Sequence, residues 1–268
     1  MARIGEYRLK AYELLYASPV CEYTEKMSKK SSMNVLIVGN GWMGNEMFKA
    51  VFSAGQSVDT ELNITVASQN AEEYGRELLR TGDGSSLPAL KQYVEQKHYA
   101  NLRFINIDVN EGVDEKGLIP LRFDKNHYNY VIVSLGDAER NWIAASEIAS
   151  QISESVNNGL VYSGNIVIHV FNEFSAGISL EDQEALINYG KENQIEISFF
   201  GNEWSETQTE LDRIARNINF AYAMKYNQRA NKVQTDEGFA KSLTKEFIES
   251  PMDYASGDIS VIANFFRG

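Results

Sequence analysis

Apolar positions along the chain follow two kinds of pattern. The first is a short run rich in β-branched residues and bounded by polar residues or glycine, the mark of a strand buried on both faces of a parallel sheet. Such runs occupy 34–38, 62–67, 102–108, 130–134, 165–170 and 195–200. The second repeats every three to four residues, as one face of a helix does. Met47, Phe48, Val51 and Phe52 carry it after the first run, with Gly55 as the stop. A helix is expected over 70–80, and a second over 87–96 beyond the breaker at 81–86. A short helical turn is expected near 115–118. Ser179 reads as the cap of a helix with Leu180 and Ile187 on its apolar face. Strand and helix alternate, which predicts an α/β fold: a doubly wound, mostly parallel six-stranded sheet over residues 34–201.

The ends of the chain read differently. Residues 1–33 are expected to form an N-terminal arm, in which Ile4, Leu9, Leu14 and Leu15 share a helix face and 26–32 is a solvated linker. Residues 202–268 carry no strand signal. Leu211, Ile214, Ala215, Ile218, Ala221 and Tyr222 repeat at helical spacing, so this part reads as a C-terminal helical extension. Its long helix could cover the sixth strand or build a dimer interface, and the pattern does not choose between them.

Composition narrows the function classes. With 43% hydrophobic and 23% charged residues the chain belongs with soluble globular proteins. A formal charge of −12 opposes a nucleic-acid backbone, so no nucleic-acid partner is expected. The single cysteine, Cys21, excludes an internal disulfide, and His98, His127 and His169 lack metal-ligand spacing, so no metal is expected. No apolar run reaches the ~18–20 residues that span a bilayer, and no signal-peptide core opens the chain. The expected location is cytoplasmic, without membrane insertion by this chain. Its apolar ending, with Phe265 and Phe266, leaves open that it is part of a longer polypeptide.

Candidate chemistry begins where the first run meets Gly39, Asn40, Gly41, Trp42, Met43 and Gly44. Strand, G-x-G-x-x-G and helix in that order form a dinucleotide-binding turn: one glycine for the tight turn, one for approach of a pyrophosphate, one for close packing of helix on strand. The sheet is therefore expected to be of Rossmann type, with NAD or NADP, or another adenine nucleotide, as cofactor. An NAD site normally has an acid after the second strand, whereas this chain has Ser68, Gln69 and Asn70. That removes repulsion toward a 2′-phosphate, with Ser68, Asn70 or Arg76 as contacts; in a shifted register Glu72 or Glu73 could stand in for the acid. His169, inside a strand run, reads as a core residue. Asn172 and Glu173 at the end of that run are better placed to line a cleft.

Residues 34 to about 172 resemble the nucleotide-binding domain of potassium-uptake regulators, the TrkA-N or RCK type. The resemblance rests on 130–141, where a strand leads through Ser134, Leu135, Gly136 and Asp137 to Glu139 and Asn141, and on Asp108 after the third strand. It implies a regulatory sensor in which nucleotide occupancy changes a homodimer. It also implies ligand contacts at Asp108, Ser134, Leu135, Gly136, Asp137 and Asn141, beside those of the glycine turn. Ala138 and the missing acid after the second strand depart from the family pattern. Asp137 and Asn141 can equally be helix caps. The arrangement of domains is also similar to bacterial proteins in which such a domain precedes a ryanodine-receptor-type repeat. The alternative is an NAD(P)-dependent oxidoreductase, which needs a proton donor beside the nicotinamide. Tyr93 and Lys97 have the spacing of such a pair but precede the third strand, so binding is favoured over catalysis.

Overall fold

Val35, Leu36, Ile37 and Val38 are all fully buried because their strand is sandwiched between two layers of helices. The computed structural model describes residues 2–26, 31–55, 60–80, 100–108, 115–159, 165–173 and 177–201. The helices expected over 87–96 and within 202–268 lie outside these residues, as do Tyr93 and Lys97. The chain divides into two compact units, Met1–Glu203 and Trp204–Gly268; only the first contains described residues.

Six parallel strands form the sheet: β1 (Ser31–Val38), β2 (Thr60–Ser68), β3 (Asn101–Asn106), β4 (Tyr130–Val133), β5 (Ile166–Phe171) and β6 (Ile195–Phe200). Their order is β3-β2-β1-β4-β5-β6. Glu25–Lys26 adds an antiparallel pairing against Ser31 and Ser32. The helices are α1 (Ala2–Ala17), α2 (Trp42–Ala54), α3 (Ala71–Arg80), α4 (Glu115–Leu118), α5 (Ala138–Asn157) and α6 (Leu180–Glu192). The chain builds outward from β1 to β3, then returns to the other side of β1 for β4. Right-handed crossovers therefore place the helices of the two halves on opposite faces. The reversal opens a crevice beyond the carboxyl ends of β1 and β4.

Alternation along the strands feeds two cores. Val35 and Ile37 join Leu62, Ile64 and Val66 under Met47, Phe48, Val51 and Phe52 of α2. Leu36 and Val38 join Val131, Val133, Ile168 and Val170 under Ala144, Ala145, Ile148 and Ile152 of α5.

The expected arm is packed into the first of these cores. Right-handed winding leaves β4 and β5 without a helix on the α2 side, and α1 lies there. Tyr7, Ala11, Leu14 and Leu15 are buried in one cluster with Tyr130, Val167 and Phe171. The stripe differs from the expected one: Leu14 and Leu15 belong to it, whereas Leu9 is only half-buried. Arg8 Nε donates to Glu46 Oε2 of α2 at 3.0 Å, and Tyr130 Oη donates to the Ser18 carbonyl at 2.8 Å. The linker also ends sooner than expected, since Ser31 and Ser32 already pair with Thr60 and Glu61 in the sheet. On α6 the apolar face is set by Leu186 and Gly190, and Leu180 is 76% exposed. Leu180 is the first residue of the helix, before the chain has turned toward the core.

Candidate functional site

The three glycines after β1 have different surroundings. Gly39 has φ +106°, a left-handed conformation costly for any residue with a Cβ. A Cβ there would also strike the carbonyl oxygen of Ser134 at the end of β4. A Cβ on Gly44 would strike the Gly39 carbonyl oxygen and lie 3.0 Å from Ser134 Oγ. Both glycines are thus required by the protein's own packing of α2 onto the strand ends. Gly41 has φ −66°, and a Cβ added there meets nothing within 4 Å. The middle glycine keeps open a space that none of the described residues fills.

The helix that starts there is also bare. Gly41 is the N-cap of α2; no side chain caps this end, and its first turn carries no acidic residue. By contrast, Asp137 caps α5 by accepting from Arg140 N at 3.0 Å, and Ser179 Oγ caps α6 by accepting from Asp182 N at 3.1 Å. The first N–H groups of a helix lack intrahelical acceptors and carry a partial positive charge. At α2 they open beside the empty space at Gly41, the arrangement that receives an anionic group. Trp42, 65% exposed, stands next to it. Met43 turns its side chain into the core, so only its backbone can face the crevice.

Asn40 and Asn70 join one wall of the crevice to the next. Asn40 Nδ2 donates to Asn70 Oδ1 at 2.9 Å, and Ser68 Oγ donates to the same oxygen at 3.4 Å. The end of β2 thus offers amides and a hydroxyl. Gln69 is exposed beside them, while Ser68 is buried. Arg76 is folded back onto its own helix, with Nε donating to the Glu72 carbonyl at 3.3 Å. Glu72 and Glu73 are exposed in the first turn of α3. The third strand stops at Asn106, whose side-chain oxygen accepts from Glu72 N at 3.0 Å. Asp108 is exposed just beyond, and Ile107 N donates to the Ser68 carbonyl at 2.9 Å.

On the β4 side, Ser134 is buried and its N–H donates to the Val38 carbonyl at 2.8 Å. Gly136 and Asp137 are exposed, and Gly136 takes φ +85° with open space where a Cβ would be. Asn141 lies one turn inside α5 and is 1% exposed. Its Oδ1 accepts from Leu135 N at 2.5 Å and its Nδ2 donates to the Phe171 carbonyl at 2.7 Å, which clamps the ends of β4 and β5 together. This role was not legible in the sequence, because it depends on two strands that meet only in the fold. The neighbouring Asn172 is fully buried; its Oδ1 accepts from Ile178 N at 3.0 Å, while Nδ2 has no partner among the described residues. Glu173 Oε1 accepts from Tyr7 Oη of α1 at 3.1 Å, a link between the N-terminal helix and the rim of the crevice.

His169 lies away from this edge, under α1. Its Nδ1 shares a 2.6 Å hydrogen bond with Ser198 Oγ, and its ring centroid is 4.8 Å from that of Tyr130. Burial pushes its pKa down to about 3. It is a neutral core residue, unsuited to proton transfer near neutral pH.

Strand order, the glycine turn and the uncapped helix together define a doubly wound α/β protein with a Rossmann-like sheet. No family model, no curated protein and no solved structure matches the chain.

Proposed function

We propose that the crevice between the ends of β1 and β4 binds NAD, NADP or another adenine nucleotide, and that the protein is a nucleotide-responsive regulatory module acting as a homodimer. The observation that carries this reading is the contrast among the glycines. Gly39 and Gly44 answer to internal packing, whereas Gly41 leaves unfilled space at an uncapped helix N-terminus. A diphosphate there accepts hydrogen bonds from the first N–H groups of α2. The ribose faces Ser68 and Asn70, where no carboxylate repels a 2′-phosphate, so NADP is admitted as well as NAD. The adenine end extends toward Asp108. The opposite end of the ligand passes 134–137 toward Asn172 and Glu173.

The resemblance of 130–141 to the TrkA-N type supports a sensor rather than a catalyst. Tyr7 supplies a route for the response: a ligand that competes for Glu173 loosens the contact holding α1 at the crevice rim. Native mass spectrometry of protein purified under mild conditions tests ligand and assembly together. The expected spectrum is a dimer carrying one adenine nucleotide per protomer. A monomer would remove the proposed assembly, and a protein that neither retains a nucleotide nor takes one up when NAD, NADP, ATP or AMP is added would remove the binding function.

A further inference from the structure

The opposite end of the same strands carries a second concentration of polar groups. Pairing aligns Asn34 with Asn63 and Asn63 with Asn101, so three asparagines stand in a row across β1, β2 and β3. They are hydrogen-bonded in series. Asn101 Nδ2 donates to Asn63 Oδ1 at 2.8 Å, Asn63 Nδ2 to Asn34 Oδ1 at 2.9 Å, and Asn34 Nδ2 to Ser32 Oγ at 3.3 Å. Asn101 Nδ2 also donates to Glu61. Side chains two residues apart on a strand share a face. Ser32, Glu61, Thr65 and Arg103 therefore belong with the asparagines, on the face that becomes apolar at Leu36, Val38 and Ala67. Ser32 and Glu61 form one polar layer and Asn34, Asn63 and Asn101 the next; in the third, Thr65 and Arg103 stand beside Leu36.

This polar floor lies in a groove of about 370 Å³, walled by Lys125, Asn126, His127 and Tyr128 from the chain leading into β4. The volume falls in the range of small-molecule sites. Arg103 reaches Asn126 Oδ1 at 3.4 Å, and neither Arg103 nor Lys125 has a carboxylate within ion-pair distance among the described residues. Arg103 and Lys125 reach the groove from separate segments; Glu61, the carboxylate among its described lining, is engaged by Asn101 Nδ2, and Asp124 acts on Lys125 through space. Nearby Arg122 spends its charge on Asp124 at 3.0 Å.

We propose that this groove binds a small hydrophilic anion, a phosphate ester or a carboxylate. Its charged oxygens lie between Arg103 and Lys125, and its uncharged polar atoms lie on the asparagine row. Charge-assisted hydrogen bonds hold the oxyanion, while the series of amides is already ordered and pays little entropy on binding. The site is independent of the nucleotide crevice, from which it is separated by the length of the strands.

The test is a titration of the full chain at constant ionic strength with inorganic phosphate and, separately, with citrate, followed by NMR of the Asn34, Asn63 and Asn101 side-chain amides. At least one of the two anions is expected to shift these signals saturably. Phosphate alone identifies a phosphate ligand, citrate alone a carboxylate, and both a general oxyanion site. In an Arg103→Gln/Lys125→Gln variant the affinity is expected to fall at least tenfold. Arg122→Gln, outside the groove, is expected to leave it within twofold. Both changes are at exposed positions, and an unchanged backbone spectrum verifies the fold. Shifts that never saturate with either anion, or equal affinity in the double variant, would overturn the proposal. A Gly41→Val background separates this site from the crevice: the shifts persist there if the groove is the site and vanish if the anion sits at the glycine turn.

Discussion

Three glycines spaced as G-x-G-x-x-G make separable predictions, because each answers to a different neighbour. Gly39→Ala and Gly44→Ala drive a Cβ into backbone carbonyls that cannot move independently of the strands. Each is expected to cost about 2–4 kcal/mol in chemical denaturation, the range for strain at a constrained backbone position. Gly41→Val, at an ordinary φ and in open space, is expected to leave stability within about 1 kcal/mol. His169 makes a prediction about pH. Its folded pKa is depressed to about 3 from an ordinary 6.5. The unfolded chain therefore takes up a proton below pH 6.5 while the folded protein does not. Stability is fully present above that pH and falls on acidification toward pH 3, by at most about 1.4 kcal/mol per pH unit. Denaturation of His169→Gln at a series of pH values between 7 and 5 is expected to show a flatter profile than the natural protein; equal slopes would show that His169 does not set this dependence. The glycine spacing and the core placement of His169 were legible from sequence because both depend on local order. The Asn141 clamp and the asparagine row were not, since each exists only once distant strands are in register.

At the scale of elements, all six strands were visible as apolar runs, with ends displaced by a few residues. Runs buried on both faces carry an unmistakable signal. The N-terminal helix was visible too, but its place was not. A helical stripe says that a face is buried, and only the winding of the sheet says which surface needs covering. Tyr7, Leu14 and Leu15 each contribute roughly 1.5–3 kcal/mol by leaving water for that surface. The polar tie beneath them is Glu46, only 3% exposed, held by Arg8 of α1 at 3.0 Å and by Lys49 at 2.6 Å. Glu46→Gln removes the charge and keeps the shape. It is expected to cost about 1–3 kcal/mol, the range for charge-assisted bonds at a buried site, and to increase hydrogen exchange in α1 before the sheet. Unchanged exchange in α1 would mean that the apolar stripe alone anchors it.

Over the whole molecule, one reversal of strand order organises the chemistry. It gathers the glycine turn, the amides after β2 and the capped turn after β4 at the carboxyl edge, while a polar groove that includes Arg103 and Lys125 occupies the amino ends of β1, β2 and β3. Net negative charge does not argue against a nucleotide, because backbone N–H groups at a helix end act locally. No helix among the described residues is long and apolar enough to cross a membrane. The central claim is that the space at Gly41 is kept for a nucleotide, and calorimetric titration of the full chain with NAD, NADP, ATP and AMP, repeated on Gly41→Val, tests it most directly. Saturable binding of at least one of these is expected at one per protomer, lost in a Gly41→Val protein of unchanged stability. Binding of none of them, or binding undiminished in Gly41→Val, would contradict it.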